Sequence, residues 1–154
     1  MSDAHAFNGT LTWLGQPAGR PFTYETIARD TRLAFEGGAQ IEGSAPGVFG
    51  GDDSKLNPET LMMASLMQCH FLTFMAVAAK SRIEVTRYAD AAVGTLGKNA
   101  NGKMAFAQVV LRPRVRLASP LEVEKFVALH DKAHANCFMA NSVNFEVRVE
   151  PELE

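Results

Sequence analysis

A chain of 154 residues with 47% hydrophobic and 21% charged side chains has the composition of an ordinary globular protein of about one domain. The formal net charge of −2 excludes the excess of Lys and Arg that binding to nucleic acid requires, and it argues equally against an anionic membrane surface. The two cysteines, Cys69 and Cys137, have no CxxC or HExxH spacing around them, so the sequence predicts neither a metal pair nor a disulfide-rich scaffold.

The N-terminal third predicts short strands separated by turns. Residues 6–14 (AFNGTLTWL) and 21–28 (PFTYETIA) alternate apolar with polar side chains, and GQPAGRP between them is typical of a turn, so we expect a hairpin. Two further extended segments are expected around Gly37 and Gly38, followed by a Gly/Asp loop over residues 46–55. No basic segment followed by an apolar stretch is visible near Met1, so we expect a cytoplasmic protein.

The segment LNPETLMMASLMQCHFLTFMAVAAK, residues 56–80, predicts a long helix. Asn57 is a favourable N-cap, Pro58 suits the first helical position, and the carboxylate of Glu59 lies in the first turn, where the helix dipole favours it. Nearly every face from 61 to 79 is apolar, so we expect a central helix or one buried at a subunit interface. Polar residues interrupt the apolar run before it reaches the roughly 18 residues that indicate a membrane span.

The remainder of the chain predicts a hairpin, a second helix and a last strand. Residues 85–97 and 104–118 are strand-like, and KNANG between them supplies Asn and Gly for a turn. Ser119 and Pro120 predict the start of the second helix, and residues 142–150 alternate with a period of two. The inward face of that helix is expected to carry Val123, Phe126, Val127 and His130. An exposed strand face is expected to carry Arg112, Arg114 and Arg116. The sum is a single α+β domain spanning residues 1–154.

Cys69 lies in the middle of the first helix, and its reactivity depends on what surrounds it. Most buried cysteines are inert, and burial among apolar side chains disfavours a thiolate, so a nearby cation is needed. The side chain of His70 points about 100° away around the helix, which is a poor position for a base acting on its neighbour. Arg29 and Arg32 are the candidate cations, and their opposite parity in a strand would let at most one of them face the helix.

Two segments of the sequence resemble motifs of one known family. LNPETLMMASLMQCHFLTF resembles the cysteine helix, and KAHANCFMANSVNFEV the second-cysteine segment, of the OsmC/Ohr family of osmotically inducible protein C and organic hydroperoxide resistance proteins. The resemblance covers nearly the whole chain, and RDTRLAFEGG is closest to an OsmC-like branch. It implies an OsmC-like fold with antiparallel sheets wrapped around a central buried helix, in an intertwined homodimer with sites built from both chains.

The resemblance also implies a thiol peroxidase for organic hydroperoxides, with no metal or organic cofactor. Cys69 matches the peroxidatic cysteine and Cys137 the resolving cysteine. Arg29 matches the activating arginine, with Arg32 as second choice, and Glu59 matches the first-turn glutamate. Cys69 would become a sulfenic acid and then a disulfide with Cys137, which a lipoyl-type or other dithiol would reduce.

Several alternatives stay open at this point. Phe138 replaces the proline that follows the second cysteine in the family, which leaves resolution by Cys137 open. Both thiols can also be packing residues of an OsmC-fold protein that binds a small ligand or serves another stress role. Glu59 can be a helix-dipole residue and Arg29 an exposed ion-pair partner. His70 can tune the site or hydrogen-bond a backbone carbonyl.

Two expectations concern geometry. A carboxylate at Glu59 is expected to hold the activating guanidinium through a bidentate ion pair. Ten residues separate Glu59 from Cys69, about 15 Å along one helix, so we expect them to share a site only across a dimer interface. His130 and His134 share a helical face, but the sequence supplies no third metal ligand at a suitable spacing.

Overall fold

The computed structural model describes residues 4–154, which form two α-helices and three three-stranded sheets of an α+β fold. The helices are α1, Pro58–Lys80, and α2, Val123–Ala135. The strands are β1 Gly9–Trp13, β2 Thr31–Phe35, β3 Gln40–Gly43, β4 Val85–Asp90, β5 Val93–Lys98, β6 Met104–Leu111, β7 Pro113–Leu117, β8 Glu146–Val149 and β9 Glu152–Leu153. The chain comprises two compact units, Met1–Leu61 and Met62–Glu154.

The sheet of the first unit is antiparallel, in the order β1-β2-β3. Leu33 lies opposite both Leu11 and Ile41, so apolar side chains share one face across all three strands. Gly37 and Gly38 have φ angles of 83° and 86°, and this left-handed backbone makes the turn from β2 to β3 where the sequence predicts it.

The prediction of a strand over residues 21–28 is wrong, and β1 pairs with β2 instead. The amide nitrogens of Thr26 and Ile27 both donate to the carbonyl oxygen of Thr23, which makes a turn. The Gln16 side chain donates to the carbonyl oxygens of Pro21 and Thr26, and it accepts from a backbone N–H on the far side of the turn. These bonds satisfy the backbone locally, so the segment has no need of a strand partner.

α1 begins where its capping residue predicts. The side chain of Asn57 accepts a hydrogen bond of 2.8 Å from the N–H of Thr60, as an N-cap does. The fully buried positions form one stripe along the helix: Leu66, His70, Phe74, Val77 and Ala78. Other apolar side chains are exposed, including Leu72 at 57%, so one chain alone does not bury α1 on all sides as expected. By length and hydropathy α1 could also cross a membrane, a criterion that core helices of globular proteins meet as well.

The second unit contains two hydrophobic clusters. In the first, α1, α2 and β7 bring together Phe74, Val77, Val115, Phe126 and Ala133. The second joins Leu66 of α1 to Val109 and Leu111 of β6. The exposed face predicted from alternating arginines is confirmed, because Arg114 and Arg116 are exposed while Val115 between them is buried.

Each of the two long strand-like runs is divided between two sheets. Residues 85–97 form β4 and β5, and residues 104–118 form β6 and β7. The second run breaks at Arg112, whose N–H donates to a carboxylate oxygen of Asp90 at 2.7 Å. The predicted turn between β5 and β6 is confirmed, because Asn99 accepts two backbone N–H groups there.

The sheets of the second unit are mixed, which corrects the expectation of antiparallel sheets. β8 is parallel to β6, and β9 is parallel to β7. The strand predicted over residues 142–150 is β8, which starts only at Glu146, after a 3₁₀ turn at Ala140–Ser142. Pro151, which cannot donate to a ladder, separates β8 from the short final strand β9.

The second helix begins later than Ser119 and Pro120 predict. α2 starts at Val123, preceded by Glu122 with extended backbone angles. Phe126 and His130 are buried as expected, but Val123 is 60% exposed, so the inward face is only partly as predicted.

Candidate functional site

The two cysteines are neighbours in the second unit, although 68 positions separate them in the sequence. α1 carries Cys69, which is half-buried, and Cys137 lies buried just after α2. Both are free thiols. Burial raises the pKa of the Cys137 thiol to about 11, and the adjacent Cys69 side chain adds to the rise. The backbone N–H of Met139 points at the Cys69 sulfur, with 3.5 Å between nitrogen and Sγ.

A hydrogen-bonded turn fixes the position of Cys137. Its N–H donates to the carbonyl oxygen of His134, and its own carbonyl oxygen accepts from both the backbone N–H and the side-chain amide of Asn141. Phe138, which replaces the family's proline, is 82% exposed and leaves this turn intact. The turn therefore holds Cys137 beside Cys69 without a proline.

A pair of buried histidines lies on α1 and α2, close in sequence to the two cysteines. Nε2 of His70 and Nδ1 of His130 are 3.0 Å apart, and both side chains are almost fully buried. Burial lowers the pKa of His70 to about 4, with a further contribution from His134, and lowers the pKa of His130 to about 3, with a further contribution from His70.

The partner of His70 was not predicted from the sequence, although a signal was present. His130 occupies the apolar inward face of α2, and a buried imidazole there needs a polar partner. Within residues 4–154, no three His, Cys, Asp or Glu side chains are arranged to hold a metal ion.

Arg29 lies in the first unit and its guanidinium is held by backbone carbonyls. Nη1 donates to Ile27 at 2.8 Å, Nη2 donates to Tyr24 at 2.6 Å, and the guanidinium carbon lies 5.3 Å from the centre of the Tyr24 ring. In the described part of the chain no carboxylate lies within 4.0 Å of it, whereas Arg32 pairs with Glu42 at 3.5 Å. Arg29 therefore has no acidic partner among residues 4–154.

Glu59 and Arg29 both line a cavity of about 520 Å³ in the first unit. The apolar part of the lining includes Trp13, Phe22, Ile27, Pro46 and Phe49. The expected bidentate pair between Glu59 and an arginine is not formed within the described residues, where Nη1 and Nη2 of Arg29 donate to backbone carbonyls. One carboxylate oxygen of Glu59 is buried and has no hydrogen-bond partner in the part of the chain that the structure describes. The four predicted site residues are thus placed as two pairs, the cysteines in one unit and Arg29 with Glu59 in the other.

Comparisons with known proteins identify the family of this chain. The family profile described as OsmC-like protein matches residues 51–152. An OsmC-like protein of unknown function from Vibrio cholerae is 36% identical, with a TM-score of 0.90 over 96% of this chain and 99% of that one. No curated protein gives a significant match.

Two more distant solved structures share the fold. An organic hydroperoxide resistance protein from Elizabethkingia anophelis is 20% identical, with a TM-score of 0.75 over 100% of this chain and 99% of that one. An OsmC-like protein from Mycoplasma pneumoniae is 13% identical, with a TM-score of 0.74 over 97% of each chain. At these identities the likeness concerns the fold alone. The profile match over more than half of the sequence and the 36% identical relative show that this chain belongs to the OsmC-like protein family.

Proposed function

We propose that this protein is a thiol-dependent peroxidase that reduces organic hydroperoxides. The observation that carries the proposal is the pairing of two free thiols, Cys69 half-buried and Cys137 buried next to it. The organic hydroperoxide resistance proteins among the solved structures of this fold support it. The direct test is consumption of an alkyl hydroperoxide by the wild type and by Cys69→Ser.

The proposed reaction has two steps on the enzyme. The thiolate of Cys69 attacks the distal oxygen of ROOH, the O–O bond breaks, and the departing alkoxide takes a proton to become the alcohol, leaving Cys69 as a sulfenic acid. The Cys137 sulfur then attacks the Cys69 sulfur. Hydroxide leaves and takes the Cys137 proton as water, which forms a disulfide.

Local groups suit these steps. The Met139 N–H directed at the Cys69 sulfur is a donor that a thiolate can use. Burial raises the pKa of Cys137, so this residue stays a neutral thiol until the sulfenic acid forms at Cys69 beside it. An external dithiol, of lipoyl type or another, is proposed to reduce the disulfide, which suits a reducing, cytoplasmic location.

Arg29 is the proposed activating cation. Its guanidinium has no carboxylate to neutralise it among residues 4–154, while the competing Arg32 is already paired with Glu42. The guanidinium borders an apolar cavity, and this combination suits a substrate with one polar reacting group and an apolar remainder. No organic cofactor or metal is part of the proposed reaction.

A homodimer completes the proposal. α1 is apolar on nearly all sides but buried along only one stripe, and exposed side chains such as Met62 and Leu72 are suited to a second copy. The unpartnered oxygen of Glu59 is then available to a group of the second chain. Light scattering on the purified protein should give twice the mass of one chain, and a monomer at micromolar concentration would contradict this part of the proposal.

A second candidate function is binding of a small apolar ligand without thiol chemistry. The apolar cavity of about 520 Å³ favours it, since that volume is within the range of small-molecule sites. The two candidates differ in whether a hydroperoxide changes the cysteines. An apolar ligand that binds while both thiols stay reduced under hydroperoxide would favour the second.

Gly50 provides a separate test of the Arg29 position. Its φ angle is +78°, and a Cβ there would lie 3.2 Å from Cζ and Nη1 of Arg29. Gly19 is a matched control, because its φ is +77° and a Cβ there would meet nothing within 4 Å. Both alanine variants should lose about 1–2 kcal/mol of unfolding free energy from backbone strain.

Gly50→Ala should lose about 1 kcal/mol more than Gly19→Ala, because displacing the guanidinium weakens its bonds to the carbonyls of Ile27 and Tyr24. It should also reduce hydroperoxide more slowly than Gly19→Ala does. Urea unfolding and peroxide assays measure the two effects. Equal stability and equal activity in the two variants would contradict a role for this contact.

A further inference from the structure

The hydrogen bond between His70 and His130 joins α1, which carries Cys69, to α2, which directly precedes the turn that holds Cys137. His70 follows Cys69 directly in α1, and His130 lies in α2 ahead of the turn that holds Cys137. In the described part of the chain it is the side-chain hydrogen bond that links α1 to α2. Its surroundings are aromatic, because the His130 ring stacks on Phe74 at 4.0 Å and meets Phe126 edge-on at 4.8 Å.

In its buried, apolar surroundings the pair favours two neutral imidazoles. A neutral imidazole has one N–H and one acceptor nitrogen, so one ring donates across the 3.0 Å contact and the other accepts. One added proton can leave a hydrogen bond between an imidazolium and an imidazole, whereas a second added proton puts hydrogen on both facing nitrogens and makes the contact repulsive. A charge would also be left in an apolar setting, where an unpaired ion is strongly disfavoured.

Among residues 4–154, the groups that pack around the pair offer no compensation for such a charge. From α2 the nearby titratable group is His134, which is itself basic, and α1 offers the thiol of Cys69. From β4, Tyr88 packs against Phe74, and from β7 the inward residue is Val115 while the neighbouring arginines face outward. The outer ring nitrogens, His70 Nδ1 and His130 Nε2, have no hydrogen-bond partner within residues 4–154.

We propose that the hydrogen-bonded pair His70 and His130 positions Cys137 beside Cys69, and that acid releases Cys137 by protonating the pair. The two histidines act as positioning residues. Their place in a reaction rests on the proposed peroxidase function, but the release of Cys137 does not. The distance between the sulfur atoms of Cys69 and Cys137 would then depend on pH.

The direction of the effect follows from the shifted pKa values. In the closed arrangement burial keeps the pKa of His70 near 4 and that of His130 near 3, whereas a released imidazole returns toward its ordinary value of about 6.5. The released state therefore binds more protons at any pH between these values. Each unit of pH below about 6.5 favours release by up to about tenfold per histidine, down to about pH 4.

The test measures access to Cys137 with a reagent that works in acid. In a Cys69→Ser background, 2,2′-dithiodipyridine reacts with Cys137 alone. The Cys137 sulfur attacks the reagent's disulfide to form a mixed disulfide, and thiopyridone leaves with the proton of the thiol. Its release is followed by absorbance from pH 7.5 to pH 4.5.

The comparison variant adds His70→Gln and His130→Asn to that background. The amides place polar atoms near the positions of Nε2 and Nδ1, so they can keep a neutral hydrogen bond that does not titrate. Relative to this variant, the histidine-containing protein should label Cys137 at a similar rate at pH 7.5 and at least about tenfold faster at pH 4.5. His134→Gln in the same background should keep the acid response.

If the ratio of the Cys137 labelling rates of the histidine-containing protein and the double amide variant stays constant from pH 7.5 to 4.5, the proposal is overturned. If the double amide variant does not fold, ¹⁵N spectra of the histidine rings in the wild type give an independent answer. Neutral rings for His70 and His130 at pH 6 support the proposal, and protonated rings at that pH overturn it. Because the reagent needs no hydroperoxide, failure of the peroxidase proposal would leave this result interpretable.

Discussion

Cys69→Ser is expected to lower kcat/KM for an alkyl hydroperoxide by at least about a thousandfold, because a serine hydroxyl does not ionise near neutral pH and attacks the O–O bond poorly. The substitution removes only the polarisable sulfur, and the half-buried position accepts a side chain of similar size. The measurement is loss of tert-butyl hydroperoxide with dihydrolipoamide as reductant.

Cys137→Ser is the matched control for that experiment. It should still consume about one equivalent of hydroperoxide per chain, since Cys69 is intact, and the sulfenic acid should then be trapped by dimedone. Turnover that survives Cys69→Ser unchanged would rule out the proposed nucleophile. In that event the apolar cavity, and not the thiol pair, would be the place to look for function.

Arg29→Met is expected to slow both alkylation of Cys69 and hydroperoxide reduction by about 10- to 100-fold at neutral pH. The reason is that the proposed role of this guanidinium is to stabilise negative charge on sulfur. Methionine keeps most of the apolar length of the side chain, so the cavity lining should be preserved. Stopped-flow alkylation with iodoacetamide, at matched protein concentrations, measures the first effect.

Arg32→Met provides the control for charge removal at a nearby position. Arg32 is exposed and paired with Glu42, so its replacement should change the alkylation rate less than about twofold. If the two variants behave alike, or if Arg32→Met is the slower one, the assignment of Arg29 as the activating arginine is wrong. Arg29→Lys should fall between the wild type and Arg29→Met, because it keeps the charge but loses the planar fork.

Local chemistry made part of the fold predictable. The start of α1 follows from Asn57 and Pro58, and the β5–β6 turn follows from Asn99 and Gly102, because those side chains act on backbone groups a few residues away. The strand expected at 21–28 failed for the opposite reason. A side chain outside that segment satisfies its backbone groups, and alternation within the segment carries no trace of this.

Sheet membership was beyond the reach of sequence patterns. Alternation continues from β6 into β7 across Arg112, yet the two strands belong to different sheets. A period of two records which face a side chain takes, but not which partner strand lies beside it. The parallel orientation of β8 and β9 depends on where the chain returns after α2, and the alternation of side chains does not record this either.

The candidate site was also predictable only in part. Cys69 and Cys137 were identified by motif, and their proximity followed from the family resemblance. The sequence did not identify His130 as the partner of His70. The two residues are 60 positions apart, and only the packing of α1 on α2 brings their rings together. The bidentate pair expected for Glu59 is absent from the described residues, where the Arg29 guanidinium donates to backbone carbonyls, and the side-chain pattern carries no record of such bonds.

The central claim is that Cys69 and Cys137 are a redox couple. Its most direct test is mass spectrometry of the reduced wild-type protein after one equivalent of an alkyl hydroperoxide. We predict a chain lighter by two hydrogens, with peptides containing Cys69 and Cys137 joined by a disulfide. A protein whose mass is unchanged, with both thiols still titratable and the hydroperoxide unconsumed, would contradict the account.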